Sequence, residues 1–291
     1  TSTEMYPDHV AFYQKFNRKE PYTAITYTEM LERVNGLGTA FINAGLKDKR
    51  IGVIGPNCSQ WTISYLATVC GTGVVVPLDK ELNANELKQL AERSGISAIV
   101  CAKKFVKDFV EMKESGDTNL ELIINMDADE DDGEVLSWWK LMESGKALVA
   151  EGDRRFLDAQ VNKDEMSILL FTSGTTSMAK AVMLSQYNIL ANIQSILTVE
   201  DIHVGDVNMA FLPYHHTFGS TGQFCMIAAG VTTAYCDGLK YLQKNLVEYK
   251  VSVFFCVPLI IEAMHKKVMQ EIKKKGKEKT VKIGKVISKF L

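Results

Sequence analysis

Between two apolar runs, 166–171 and 181–184, hydroxyl, small and cationic residues follow in close order as Thr172-Ser173-Gly174-Thr175-Thr176-Ser177-Met178-Ala179-Lys180. Small residues let backbone N–H groups face inward, hydroxyls add donors, and the lysine brings a compact positive charge. That combination suits the oxygens of a phosphate chain. The same composition also suits a Ser/Thr/Gly hairpin turn, and composition alone leaves both readings open. Spacing disfavours two other glycine-loop types. A G-x-x-x-x-G-K-[ST] loop needs its second glycine directly before the lysine, whereas Lys180 follows Ala179, and no G-x-G-x-x-G is present. A kinase or other P-loop NTPase is therefore disfavoured.

The remaining reactive residues carry less information. The six cysteines, Cys58, Cys70, Cys101, Cys225, Cys236 and Cys256, include no C-x-x-C pair and mostly lie beside apolar residues. They read as buried thiols rather than a metal cage or disulfide framework. Asp127 to Glu134 holds six acidic residues in eight without an ordered ligand spacing, so it reads as a solvated loop. His203, His215 and His265 read as structural histidines; His216 taken alone would join them. The lysines at 273–275, 277 and 279 read as a solvated helix end.

Composition narrows the function classes. The 291 residues are 46% hydrophobic and 23% charged, enough for a sizeable core, and the net charge of −2 leaves no basic footprint for nucleic acid. No apolar run approaches bilayer-spanning length and no charged-then-apolar leader opens the chain, so the expected location is the cytoplasm and no transmembrane segment is expected.

The elements that must position the hydroxyl-rich stretch alternate along the chain. Strands are expected at 9–14, 22–27, 51–54, 74–76, 98–101 and 120–124. Helices are expected from Thr28, as N-cap, to about Ala44, and at 59–70, 85–93 and 105–112, with another short one starting at Trp138-Trp139. After the stretch, Ser185 caps a helix to about Thr198. A strand at 208–212 follows, then helix and strand through 222–235, a helix at 240–250, a strand at 251–257 and a helix after Pro258. Solid apolar strands alternating with helices predict an α/β fold with mainly parallel sheets and helices on both faces. The polar connector at 151–164 suggests a first α/β subdomain over 1–155 and a second, carrying the stretch, over 156–291.

Phe171, then Thr172-Ser173-Gly174-Thr175-Thr176-Ser177-Met178-Ala179-Lys180-Ala181-Val182, resembles the T-S-G-T-T-G-x-P-K-G-V loop of the adenylate-forming (AMP-binding) enzymes, which include acyl-CoA synthetases, peptide-synthetase adenylation domains and luciferases. Further stretches follow that family's order: Ile25-Thr26-Tyr27-Thr28-Glu29-Met30, Gly71-Thr72-Gly73-Val74-Val75-Val76-Pro77-Leu78-Asp79, and Leu212-Pro213-Tyr214-His215-His216-Thr217-Phe218-Gly219. The resemblance covers essentially the whole chain.

The resemblance implies an ATP-dependent acid–thiol ligase of the fatty acyl-CoA synthetase type. A carboxylate attacks the α-phosphorus of ATP, giving acyl-AMP and pyrophosphate, and a thiol, that of coenzyme A or of a carrier protein, then displaces AMP. Thr172 would lie near Mg2+ and the phosphates. Ser173, Gly174, Thr175 and Thr176 would cradle the β- and γ-phosphates, and Lys180 would anchor the loop or neutralise charge. His216 would stand at the carboxylate end of an acyl pocket walled by Phe218, Gly219 and Thr221.

Ser177, Ala179 and Ala181 replace the pattern's glycine, proline and glycine. These departures motivate an alternative, a catalytically weakened nucleotide- or acyl-binding protein of the same fold; an adenylation domain for an amino or aryl acid is another. The family's Y-G-x-T-E glutamate, ribose-binding aspartate, hinge and C-terminal lid have no counterpart among these residues. The resemblance therefore implies the N-terminal part of such an enzyme, unable alone to complete adenylation.

Overall fold

In the computed structural model, which describes residues 1–172 and 179–277, the apolar runs pair into two sheets. In chain order the elements are α1 (Ser2–Met5), β1 (Val10–Gln14), β2 (Thr23–Thr26), α2 (Tyr27–Asn43), β3 (Arg50–Ile54), α3 (Ser59–Ala67), β4 (Val74–Pro77), α4 (Ala84–Ser94), β5 (Ala98–Cys101), α5 (Lys103–Ser115), β6 (Leu122–Asn125) and β7 (Val135–Ser137). They continue with α6 (Trp138–Ala150), β8 (Met166–Thr172), β9 (Lys180–Ser185), α7 (Gln186–Val199), β10 (Val207–Ala210), α8 (Thr217–Ala228), β11 (Thr232–Tyr235), α9 (Leu242–Glu248) and α10 (Pro258–Lys274). Thr1–Phe254 forms one compact unit, which contains the connector at 151–164, and a second unit begins at Phe255. The described part of that second unit holds α10, opened by Pro258 in its first turn, where a missing N–H costs nothing.

The larger sheet has the order β7-β6-β5-β3-β4-β8-β9. All its neighbours run parallel except β8 and β9. Every residue of β5 is buried, which explains why this strand reads as a solid apolar run rather than an alternating one. The step from β3 to β4 goes one way along the sheet, and the steps from β4 to β5 and β5 to β6 go the other. Right-handed crossovers then put α3 on one face and α4 and α5 on the opposite face. The expected α/β class holds.

The smaller sheet, in the order β10-β11-β1-β2, takes two strands from the beginning of the chain and two from beyond residue 200. β1 pairs parallel with β11 and antiparallel with β2. The smaller sheet meets helix α3 across a buried polar seam. Gln14 of β1 accepts from the Ser59 amide at 2.6 Å and donates to Gln60 at 2.9 Å, and the Thr62 and Tyr235 hydroxyls bond at 2.9 Å. Satisfied groups of this kind fix one relative placement of the layers, because an unpaired buried donor is costly.

Several expectations need correction. Helix α2 is capped by Thr26, not Thr28. The Thr26 hydroxyl accepts from the Glu29 amide at 3.1 Å, the Glu29 carboxylate accepts from the Thr26 amide at 2.7 Å, and the Thr28 hydroxyl donates to the Pro7 carbonyl. The acidic segment 127–134 is an exposed loop as expected, but it runs into a strand that was not expected, β7, which pairs parallel with β6. Its carboxylates are tied to neighbours: Glu134 to Lys113 at 2.7 Å, and Glu130 to Lys140. Among the described residues no group of three or more His, Cys, Asp or Glu side chains could hold a metal ion. Residues 251–257 form no strand; Val253 makes only an isolated bridge to Asn208. Helix α8 starts at Thr217, five residues before the expected position.

Candidate active site

β8 carries the chain to Thr172, and β9 returns it from Lys180 in antiparallel register, with Thr172 opposite Lys180 and Phe171 opposite Ala181. The hydroxyl-rich stretch thus leads from β8 into β9, and not into a helix N-terminus as a P-loop does. Directly opposed side chains on an antiparallel pair share one face about 5 Å apart. The exposed Thr172 hydroxyl and Lys180 ammonium therefore stand together at the hairpin end. Ser173, Gly174, Thr175, Thr176 and Ser177 lie outside the described residues. Ala181, where the family pattern has glycine, sits in an ordinary paired position with its methyl exposed, so the strand accommodates that departure.

One contributor has no signature in the sequence. Arg93, in the last turn of α4, donates from Nη1 to the Ala179 carbonyl at 2.7 Å, and its guanidinium lies 5.6 Å from the centre of the Phe171 ring. Nothing in helical periodicity marks this arginine, because it is an exposed residue whose partners lie far along the chain.

The histidine cluster is built at the end of β10. His216 has extended backbone and is the N-cap of α8; its side chain is exposed, with its ring 4.3 Å from that of His215. The turn before it is pinned on three sides. Asn57, after β3, donates to the Leu212 carbonyl at 2.7 Å, the buried Tyr214 hydroxyl donates to Gln223 at 2.6 Å, and Tyr214 packs 5.2 Å from Trp61. Gly219 brings α8 so close that a Cβ there would collide with the Pro213 carbonyl oxygen, which accounts for a glycine at this spacing. Of the expected pocket wall, Phe218 is 51% exposed, while Gly219 and Thr221 are buried.

His215 is tied to a second motif. Its Nε2 lies 3.4 Å from an Asp79 carboxylate oxygen but has no partner in hydrogen-bonding geometry. Burial holds its pKa below the ordinary histidine value, outweighing the pull of Asp79; His216 and Lys80 act with burial and Glu81 against it. The imidazole is thus favoured in its neutral form. Asp79 follows β4, placed by the G-T-G-V-V-V-P segment. Gly73 of that segment is needed because a Cβ would meet the Lys49 backbone.

Both groups of residues belong to one edge of the larger sheet. β4 and β8 run parallel with Val75 paired to Ile168, so Asp79 and Thr172 each lie four residues further toward the carboxyl edge. Asp79 then leads through His215 to His216. No hydrogen bond or ion pair links Thr172 or Lys180 directly to either histidine among the described residues. An open crevice at the carboxyl ends of parallel strands is where α/β proteins bind ligands. A separate apolar cavity of about 230 Å3 lies against the C-terminal end of α8, the end away from His216, lined by Tyr65, Val69, Ile168, Ile193, Phe224 and Ile227 among others.

Comparisons with known proteins agree with this arrangement. The sequence profile of the family described as "AMP-binding enzyme" matches residues 1–287. Long-chain-fatty-acid–CoA ligase 5 of Rattus norvegicus is 29% identical over 293 residues, covering 96% of this chain and 42% of the rat protein. The chain thus spans about two fifths of the length of such curated relatives. Among solved structures, a long-chain-fatty-acid–CoA ligase of Archaeoglobus fulgidus superposes with a TM-score of 0.78 at 20% identity, covering 92% of this chain and 52% of that one. VinN in complex with L-aspartate superposes with a TM-score of 0.76 at 19% identity, over 94% of this chain and 64% of its own. At those identities the superpositions establish the fold.

Proposed function

Since the chain belongs to the AMP-binding enzymes, whose profile covers nearly all of it, we propose that it supplies the phosphate-facing and carboxylate-facing surfaces of an ATP-dependent acid–thiol ligase acting on a fatty acid. The observation that carries this reading is the pairing of Thr172 with Lys180 on the carboxyl edge that also carries Asp79, His215 and His216.

In this reading the Lys180 ammonium and the Thr172 hydroxyl, with Ser173, Gly174, Thr175 and Thr176, hold the β- and γ-phosphates. Nucleotidyl transfer is accelerated chiefly by positioning and charge stabilisation, so these donors act without a nucleophilic side chain. The substrate carboxylate bonds to the α-phosphorus as the bond to pyrophosphate breaks. A thiol such as that of coenzyme A then forms the thioester and releases AMP. Thr172 offers Mg2+ one hydroxyl oxygen, which fits an ion held chiefly by phosphate oxygens; bound there, it would neutralise phosphate charge. His216 faces the carboxylate end. The long-chain-fatty-acid ligases among the relatives support an aliphatic acid.

Two measurements test this. The 291-residue chain should bind MgATP, and K180A should weaken that binding about tenfold, the loss of one charge-assisted contact. The chain alone, spanning two fifths of its relatives' length, should not exchange pyrophosphate into ATP. The longer protein carrying it should do so with long-chain fatty acids in preference to aryl or amino acids. Absence of exchange with every acid tried would remove the ligase reading.

A further inference from the structure

We propose that Arg93 is a positioning residue for the triphosphate of a nucleotide, holding Thr172 and Lys180 at their working separation; the proposal rests on the phosphate role given above to those two residues. The contacts divide between the arms of the hairpin. Phe171, under the guanidinium, belongs to β8, and Ala179, whose carbonyl takes the 2.7 Å bond, immediately precedes β9. One rigid planar cation thus spans both arms at the level of Thr172 and Lys180, packed on the Phe171 face and leaving the opposite face, to which those two side chains point, open. A lysine would do both less well, since its ammonium lacks the flat face that stacks on the ring and the fixed fork of donors.

The brace has a firm base. Leu87, Leu90, Ala91 and Ser94 of α4 are buried, and the Ser94 carbonyl accepts from Arg50 of β3 at 2.6 Å. The hairpin has less support of its own, because β9 is the outermost strand of the larger sheet and is exposed over its first four residues. Pairing with β8 fixes one side of β9, and Arg93 ties the start of that strand to the interior through α4. The ligand class follows from what is braced. A hydroxyl and an ammonium on one face select the oxygens of a polyphosphate, so a triphosphate gains from the brace and a nucleoside monophosphate gains little.

The test titrates the 291-residue chain with MgATP and, separately, with AMP, comparing unaltered protein with R93A, R93K and F171L and with E92A as a control on the same helix. R93A should weaken MgATP binding about fivefold, the scale of one exposed charge-assisted contact, with AMP binding within about twofold. R93K should restore only part of the loss, and F171L should show a smaller loss. Without nucleotide, the amides of Thr172, Lys180 and Ala181 should exchange hydrogen faster in R93A and F171L but not in E92A. Unchanged MgATP affinity in R93A overturns the proposal whatever the exchange shows, and so does an equal fall for ATP and AMP, which would mark general loosening. A chain that binds no MgATP overturns the phosphate reading itself; unchanged amide exchange in R93A would then separately overturn the brace.

Discussion

His215 shows how a neighbour can matter without forming an ion pair. Burial depresses its pKa against the pull of Asp79, so the folded protein binds this proton less readily than the unfolded chain. Its contribution to stability is therefore present above the unfolded value of about 6.5, shrinks as pH falls below it, and levels off once the folded imidazole protonates. Thermal unfolding followed between pH 7.5 and pH 5 should show a falling midpoint that H215Q flattens; carboxylate titration, which lies lower, would leave both proteins parallel in that window. At this scale the sequence was informative about position where neighbouring residues are contiguous. Thr172 and Lys180 could be placed because apolar runs flank them, whereas Arg93 could not, since its contact with Ala179 spans 86 residues and leaves no local pattern.

Among the elements, α8 is the most sharply constrained. Its first turn lies against the Pro213 carbonyl, and Gly219 is the only residue type that leaves room. G219A must shift either the helix or the His215-His216 turn. The expected cost is about 1–3 kcal/mol, seen as a melting point lower by several degrees. MgATP binding to this chain should suffer little, because the hairpin of β8 and β9 is built separately. A substitution that left the melting temperature unchanged would show that the turn has slack. Helices with strong caps were legible to within a few residues, as at Asn83 and Ser185, whose side chains accept from the third helical amide. The cap of α2 was misplaced because threonines stand at both 26 and 28, and only the one three residues before Glu29 completes a capping box. β7 was hidden by the acidic residues before it. Residues 251–257 had strand composition, but the Ser252 hydroxyl takes the Val207 amide, and the ladder ends after one bridge.

For the whole molecule, the α/β class followed from the alternation of apolar runs, yet the division into two sheets did not, because an apolar run says that a strand is buried and not which strand it will lie beside. The smaller sheet is also secured by charge. Lys15, just beyond β1, has a side chain only 4% exposed and pairs with Asp237 at 3.3 Å and Glu248 at 2.6 Å. Burial pushes its pKa down, but hydrogen bonds to Glu248 and Asp237 outweigh this and the net shift is upward. K15M would leave two carboxylates facing each other in a partly closed site, a loss of about 3 kcal/mol that urea denaturation should register as a lower midpoint at unchanged slope.

The parallel pairing of β1 with β11 also bears on how the chain comes into being. Phe12 of β1 lies opposite Thr233 of β11, more than two hundred residues later. At translation rates of about 5–20 residues per second, β1 leaves the ribosome roughly ten to forty seconds before its parallel neighbour exists. During that interval it has only the hairpin with β2, and its other edge, meant for β11, is exposed to any strand that comes near. Synthesis of this chain therefore has an obligatory waiting period, in which chaperone protection of the first thirty residues would matter most.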